Sequence, residues 1–202
     1  MGEKFNKLIP GARAPTRSET KLSEARSYAN LAFQNQYFNL LPFPPSPAAD
    51  TDMDIILEER ALDSFHNILF SMTLFWDRFR TWPVHVTVVS HGFKKPRIMG
   101  HCRVIGLSED MVTFVGIDPP GGMGDEGEAE GAMNGVKEAL RDWQEDPMGR
   151  GEKLAGKRRR RNVWGVWQGV FEGGAGDDKG GLEIELDREG ERLVPEGRRP
   201  WR

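Results

Sequence analysis

Two β-branched runs constrain this chain more than any other feature. Val84-His85-Val86-Thr87-Val88-Val89-Ser90 and Val112-Thr113-Phe114-Val115-Gly116-Ile117 have the residue types of strands. Between them lies an amphipathic segment from about Lys95 to Leu107. Strand, helix and strand at this spacing make a crossover unit, so the two strands run parallel. The fold class is therefore α/β, a parallel sheet flanked by helices.

The rest of the front of the chain fits that reading. Leu8-Ile9 runs into Pro10-Gly11 and reads as a strand entering a turn. Ser23 is placed to cap a helix carrying Tyr28, Leu31 and Ala32 on one face. That helix must stop before the proline-rich stretch 41–47, which reads as an extended loop. Ile55-Ile56-Leu57 is either a buried strand or a first helical turn, since periodicity cannot separate the two at such length. From about Arg60 to Arg80, Leu62, Phe65, Leu69, Met72 and Phe79 repeat at helical spacing, and their aromatic stripe reads as core. Residues 121–127 read as a flexible loop, and 128–145 as a helix.

Composition separates this front from the back. There are 24 glycines, crowded from Gly116 onward, and residues 172–202 are acidic, glycine-rich and short of large apolar side chains. The expectation is an α/β domain over 8–171 followed by a disordered tail over 172–202. A net charge of −3 argues against nucleic-acid binding along the whole chain. One cysteine, Cys102, excludes an internal disulfide framework and reads as a small core residue. The four histidines lack metal-ligand spacing, so no metal site is expected. No apolar run is long enough for a transmembrane helix, and the first residues lack the apolar stretch of a secretory signal. A cytoplasmic location is expected, or a nuclear one if the basic run from Lys157 to Arg161 acts in import.

In an open parallel sheet, ligands bind beyond the carboxyl ends of the strands. Those ends place Gly11, Glu58, Ser90 and Asp118 around one crevice. The helix starts that follow add Asp63, Ser64 and Asn67 on one side, and Lys94, Lys95 and Arg97 on the other. Backbone N–H groups at such starts suit an anion. Plain alternatives exist: Asp63 and Ser64 as helix caps, Asn67 as a satisfied polar residue, the lysines as a solvated face. The basic run has three readings: a nucleic-acid or import patch, a solvated helix face, or a segment folded back over the crevice to clamp an anion. Trp164 and Trp167 beside it favour a docked segment.

Glu58-x-Arg60-Ala61-x-Asp63-Ser64-x-x-Asn67 resembles a motif of the YdcF/SanA/ElyC-like family, domain of unknown function 218. The stretch from Val88 to Arg97 resembles the family's second signature, a strand ending in Ser or Thr, a turn with an aromatic, and an Arg opening a helix. Ser23-Glu24-Ala25 is similar to the segment after the family's Ser-Gly-Gly loop. Several phrases, FVGIDPP and LAGKRRRRNVWG among them, are similar to a branch found in filamentous fungi. The resemblance spans roughly residues 8–171. It implies a Rossmann-like fold and a small-ligand crevice with no agreed reaction. Position by position, it implies Glu24, Glu58, Arg60, Asp63, Ser64, Asn67, Ser90 and Arg97 as pocket residues. The chain departs from the pattern at Pro10-Gly11-Ala12, where the family has Ser-Gly-Gly, and at Lys94, where bacterial members have His. Only seven residues precede Leu8, so the family's first strand–helix unit is expected to be missing.

The leading expectation is a protein that binds a small anionic molecule, with S-adenosylmethionine or another nucleotide suggested by fold analogy. As an enzyme it would use Glu58 and Asp63 as acid, base or ribose partners, with Lys94 and Arg97 holding the anion. Ser90 would be a hydrogen-bonding group, because no base is placed for it. A rival class is a non-enzymatic nuclear or interaction protein using residues 157–161. A third is a degenerate family member that no longer folds alone.

Overall fold

Asp63 and Ser23 each start a helix by the same device. In the computed structural model, the Ser23 hydroxyl accepts the Arg26 amide at 3.0 Å and Asp63 accepts the His66 amide at 2.9 Å. The structure describes residues 7–9, 15–40, 55–118, 126–174, 179–187 and 190–201. In order, these form β1 (Lys7–Ile9), α1 (Glu24–Gln34), β2 (Ile55–Leu57), α2 (Ser64–Phe79), β3 (Val86–Ser90), α3 (Lys95–Ile105), β4 (Val112–Gly116), α4 (Glu126–Glu145), α5 (Glu152–Arg161), β5 (Ile184–Asp187) and β6 (Gly190–Leu193).

The expected crossover forms. β3 and β4 pair in parallel from Val86↔Val112 to Ser90↔Gly116, with α3 between them in sequence. α3 has proline in its first turn and closes on Gly106 at φ 93°, a left-handed cap that suits glycine. β1 and β2 form a second parallel pair, Lys7↔Ile55 to Ile9↔Leu57, so 55–57 is a strand. Among the described residues the two pairs are not hydrogen-bonded to each other. The architecture is mixed helix and strand with short parallel ladders. The proline-rich stretch and residues 119–125 lie outside the described residues, as does Gly11.

α2 is the central element. Phe65, Ile68, Leu69, Phe70 and Met72 are buried and pack with Ile98, Cys102 and Ile105 of α3 and with Val88 of β3. Burying each such side chain contributes about 1.5–3 kcal/mol. Cys102 is a core residue, and burial pushes its thiol up to about 11.

The expectation of a disordered tail over 172–202 does not hold for its described residues, 172–174, 179–187 and 190–201. β5 and β6 form an antiparallel hairpin, and Leu182, Leu193 and Trp201 are buried in the same core as α2. Trp82 stacks on Trp76 at 5.0 Å and meets Trp201 edge-on at 4.8 Å, while its Nε1 donates to the Gly180 carbonyl at 2.8 Å. Arg199 Nε donates to the Ile105 carbonyl at 2.8 Å, which ties the end of the chain to α3. The domain therefore extends past residue 171. Average polarity hid these anchors, because a few widely spaced large side chains suffice to dock a hairpin on an existing core.

Candidate functional site

The β3 strand ends at Ser90, and the turn after it is pinned from β4. Asp118 Oδ1 accepts the Gly92 amide at 2.9 Å, and the His91 ring meets the Ile117 carbonyl at 3.1 Å. A Cβ on Gly92 would lie 2.5 Å from the Asp118 carboxylate and would push it out of this contact. Lys94 and Arg97 follow directly. Asp118 thus positions the turn and does not line the crevice.

The crevice is a cleft of about 440 Å³, within the roughly 300–1,000 Å³ of small-molecule pockets. Seven predicted residues meet there: Glu24, Asp63, Ser64, Asn67, Ser90, Lys94 and Arg97. Three cations of the basic run, Lys157, Arg158 and Arg161, line it too. α4 contributes Asp142 and Trp143, and α1 contributes Tyr28, whose hydroxyl donates to Glu24 at 3.3 Å. The cleft thus carries five cationic side chains and three carboxylates.

α5 is locked in place by buried charge. Arg158 Nη1 donates to Asp63 Oδ2 at 3.0 Å, and both side chains are less than a tenth exposed. Burial works to raise the Asp63 pKa, but His66, Arg158 and their hydrogen bonds outweigh it and hold the carboxyl below the ordinary range. Asp142 takes Lys153 at 2.6 Å and Lys157 at 3.0 Å, and the Lys153 hydrogen bond leads in holding its carboxyl low. Arg161 Nη1 donates to the Leu62 carbonyl at 2.9 Å. Arg159 and Arg160 face solvent. α5 thus brings three of the five cations of the run to the cleft and leaves two in solvent.

Behind the cleft, the Ser64 hydroxyl meets His101 Nε2 at 2.9 Å. Burial depresses the pKa of His101 to about 3 and that of His66 to about 4, so both rings are neutral near pH 7. Asn67 lines the cleft, and its Oδ1 is buried without a hydrogen-bond partner among the described residues.

Glu58 and Arg60 do not reach the cleft. Glu58 is 2% exposed and accepts the amides of Arg60 at 2.8 Å and Ala61 at 3.0 Å. Burial pushes its carboxyl up to about 7. Arg60 donates to the Gly169 carbonyl at 2.9 Å and lies over the Phe70 ring at 4.3 Å. Both hold the β2–α2 turn against the core, which corrects their assignment as ligand contacts. Sequence reasoning missed Asp142, Trp143 and His101. Only the 3–4 spacing along α4 marked Trp143 as inward-facing, and nothing local marked the others.

No protein-family model matches the chain, and no solved structure does. A curated protein of baker's yeast, "Uncharacterized protein YOR238W", is 35% identical over 66 residues. That stretch is 32% of this chain and 22% of the yeast protein, so the match spans about a fifth of that relative's length. The chain is thus similar to a fungal protein over a third of its length. Among the described residues, no helix is long and apolar enough to cross a membrane.

Proposed function

We propose that this protein binds a small anionic molecule, a nucleotide or sugar phosphate, in the cleft at the ends of α2, β3 and α5. The observation that carries the reading is the meeting of Lys94 and Arg97 with Lys157, Arg158 and Arg161 around one cavity. Five cations against three carboxylates leave the site net positive, and a low-dielectric cleft focuses that field on an incoming anion. The carboxylate of Glu24 and the amide of Asn67 suit the hydroxyls of a ribose or sugar. S-adenosylmethionine, the candidate raised by fold analogy, carries a sulfonium, so a phosphate-bearing nucleotide fits the balance better. On this reading the chain is a YdcF-like protein with a Rossmann-like sheet, and the meeting of Asp63, Ser64, Asn67, Ser90 and Arg97 in one cleft supports that kinship.

The nucleic-acid reading draws on the same basic run. Burial of Arg158 and the engagement of Lys157 and Arg161 with the fold favour the small-molecule reading. A thermal-shift screen with nucleotides, sugar phosphates and S-adenosylmethionine tests it. A ligand present at 100 times its Kd raises stability by about 2.7 kcal/mol. The reading fails if no phosphate-bearing compound raises the melting temperature.

A further inference from the structure

Ser64 and His101 form a pair that anion binding alone does not require. Ser64 lines the cleft, and its hydroxyl meets His101 Nε2 at 2.9 Å. The helix does not need that hydroxyl as a cap, because Asp63 fills the capping position. His101 is 2% exposed, and its ring is held edge-on between Trp143 at 4.5 Å and Phe65 at 5.7 Å. One ring nitrogen is thus fixed on the serine and shielded from bulk water. Burial leads in holding this ring as the neutral base and Arg97 adds to it, against the pull of the Asp63 carboxylate.

We infer that Ser64 is a nucleophile and His101 its general base, so that the cleft transfers a phosphoryl group from an activated phosphomonoester or phosphoanhydride. The inference rests on reading the cleft as an anion site. A hydroxyl next to a fixed imidazole is the arrangement that activates serine. The cationic walls select phosphate over neutral esters and offset charge on the equatorial oxygens. In the first step the Oγ–P bond forms, the bond from phosphorus to the leaving oxygen breaks, and the Ser64 proton moves to His101 Nε2. The leaving group departs as an oxyanion. In the second step water attacks phosphorus, the P–Oγ bond breaks, and His101 returns its proton to Oγ. The water's protons leave with the phosphate, one of them passing to the departed oxyanion in solution.

The test incubates the full chain with 4-nitrophenyl phosphate. Nitrophenolate release is followed, and acid-quenched protein is analysed by intact-mass and peptide mass spectrometry. Calorimetry measures binding of inorganic phosphate in parallel. The inference expects turnover and a phosphoryl group mapped to Ser64. Ser64→Ala should abolish the adduct and the turnover while the protein still melts in one cooperative transition and still binds phosphate. His101→Gln should slow turnover by about 10²–10⁴-fold. If the buried ring change unfolds the protein, the Ser64→Ala result stands alone. Phosphate binding without turnover or adduct overturns the nucleophile and leaves the binding proposal intact, as does turnover that survives Ser64→Ala. No phosphate binding and no turnover removes both.

Discussion

Arg158 and Asp63 are joined by a buried ion pair at 3.0 Å across 95 residues of sequence. The same Asp63 carboxylate accepts the His66 amide through its other oxygen. One side chain therefore caps α2 and anchors α5, and both residues of the pair line the cleft.

Breaking that pair has a definite sign. Removing one partner leaves a buried charge uncompensated, which costs about 3–5 kcal/mol. Arg158→Met should lower stability by that much in urea denaturation. Adding Asp63→Asn should recover part of the loss, because the second charge is gone and the amide oxygen still caps the helix. Additive losses in the double variant would show that the two side chains do not interact.

The C-terminal hairpin should be part of the folding unit. Trp201→Ala removes a buried ring from the cluster with Trp82, and large aromatic truncations in a core cost about 3–5 kcal/mol. A single urea transition shifted to lower midpoint is expected. An unchanged midpoint would restore the picture of a loose tail.

Stability should fall as pH drops below about 6.5. His66 and His101 have depressed folded values, about 4 and about 3. Each takes up a proton on unfolding in the window below 6.5, so their contribution is present above that pH and lost as pH falls. Glu58, raised to about 7, works the other way, releasing a proton on unfolding between about 4.5 and 7. The two histidines outweigh the single carboxyl near pH 5.5, so the net is proton uptake on unfolding and stability rises with pH across this window. Melting temperatures across pH 5–7 check the direction, and stability that rises on acidification would contradict it.

Glu58 should matter for stability and not for the ligand. Glu58→Ala leaves two buried amides unsatisfied, at about 1–3 kcal/mol each. Affinity for any cleft ligand, measured on the folded fraction, should stay within twofold.

Much of the frame could be read directly from local chemistry. Ser23 and Asp63 stand as caps before periodic runs, Gly106 stands at a helix end, and the β-branched runs around Val86 and Val112 mark the parallel pair. Most of the cleft could be read too, because residues at strand ends and helix starts converge once the strands are parallel. Two kinds of residue misled. Glu58 and Arg60 sit at the right places in sequence, but whether a side chain turns to the cleft or to the core depends on Gly169 and Phe70, which no local pattern reveals. The hairpin anchored by Leu193 and Trp201 failed for a related reason: mean polarity over a window is blind to a few buried side chains. Arg158 was visible only as one of five cations, since its partner lies 95 residues away.

The anion site itself is tested most directly by calorimetric titration of a nucleoside diphosphate into the wild-type chain and into the Lys94→Met/Arg97→Met double variant. These two residues lie outside the buried pair that holds α5, so the variant should stay folded. Saturable binding by the wild type that weakens with rising salt is expected, with at least a tenfold loss in the variant at an unchanged fold. Equal affinity in the two proteins, or no binding by either, would contradict the anion site.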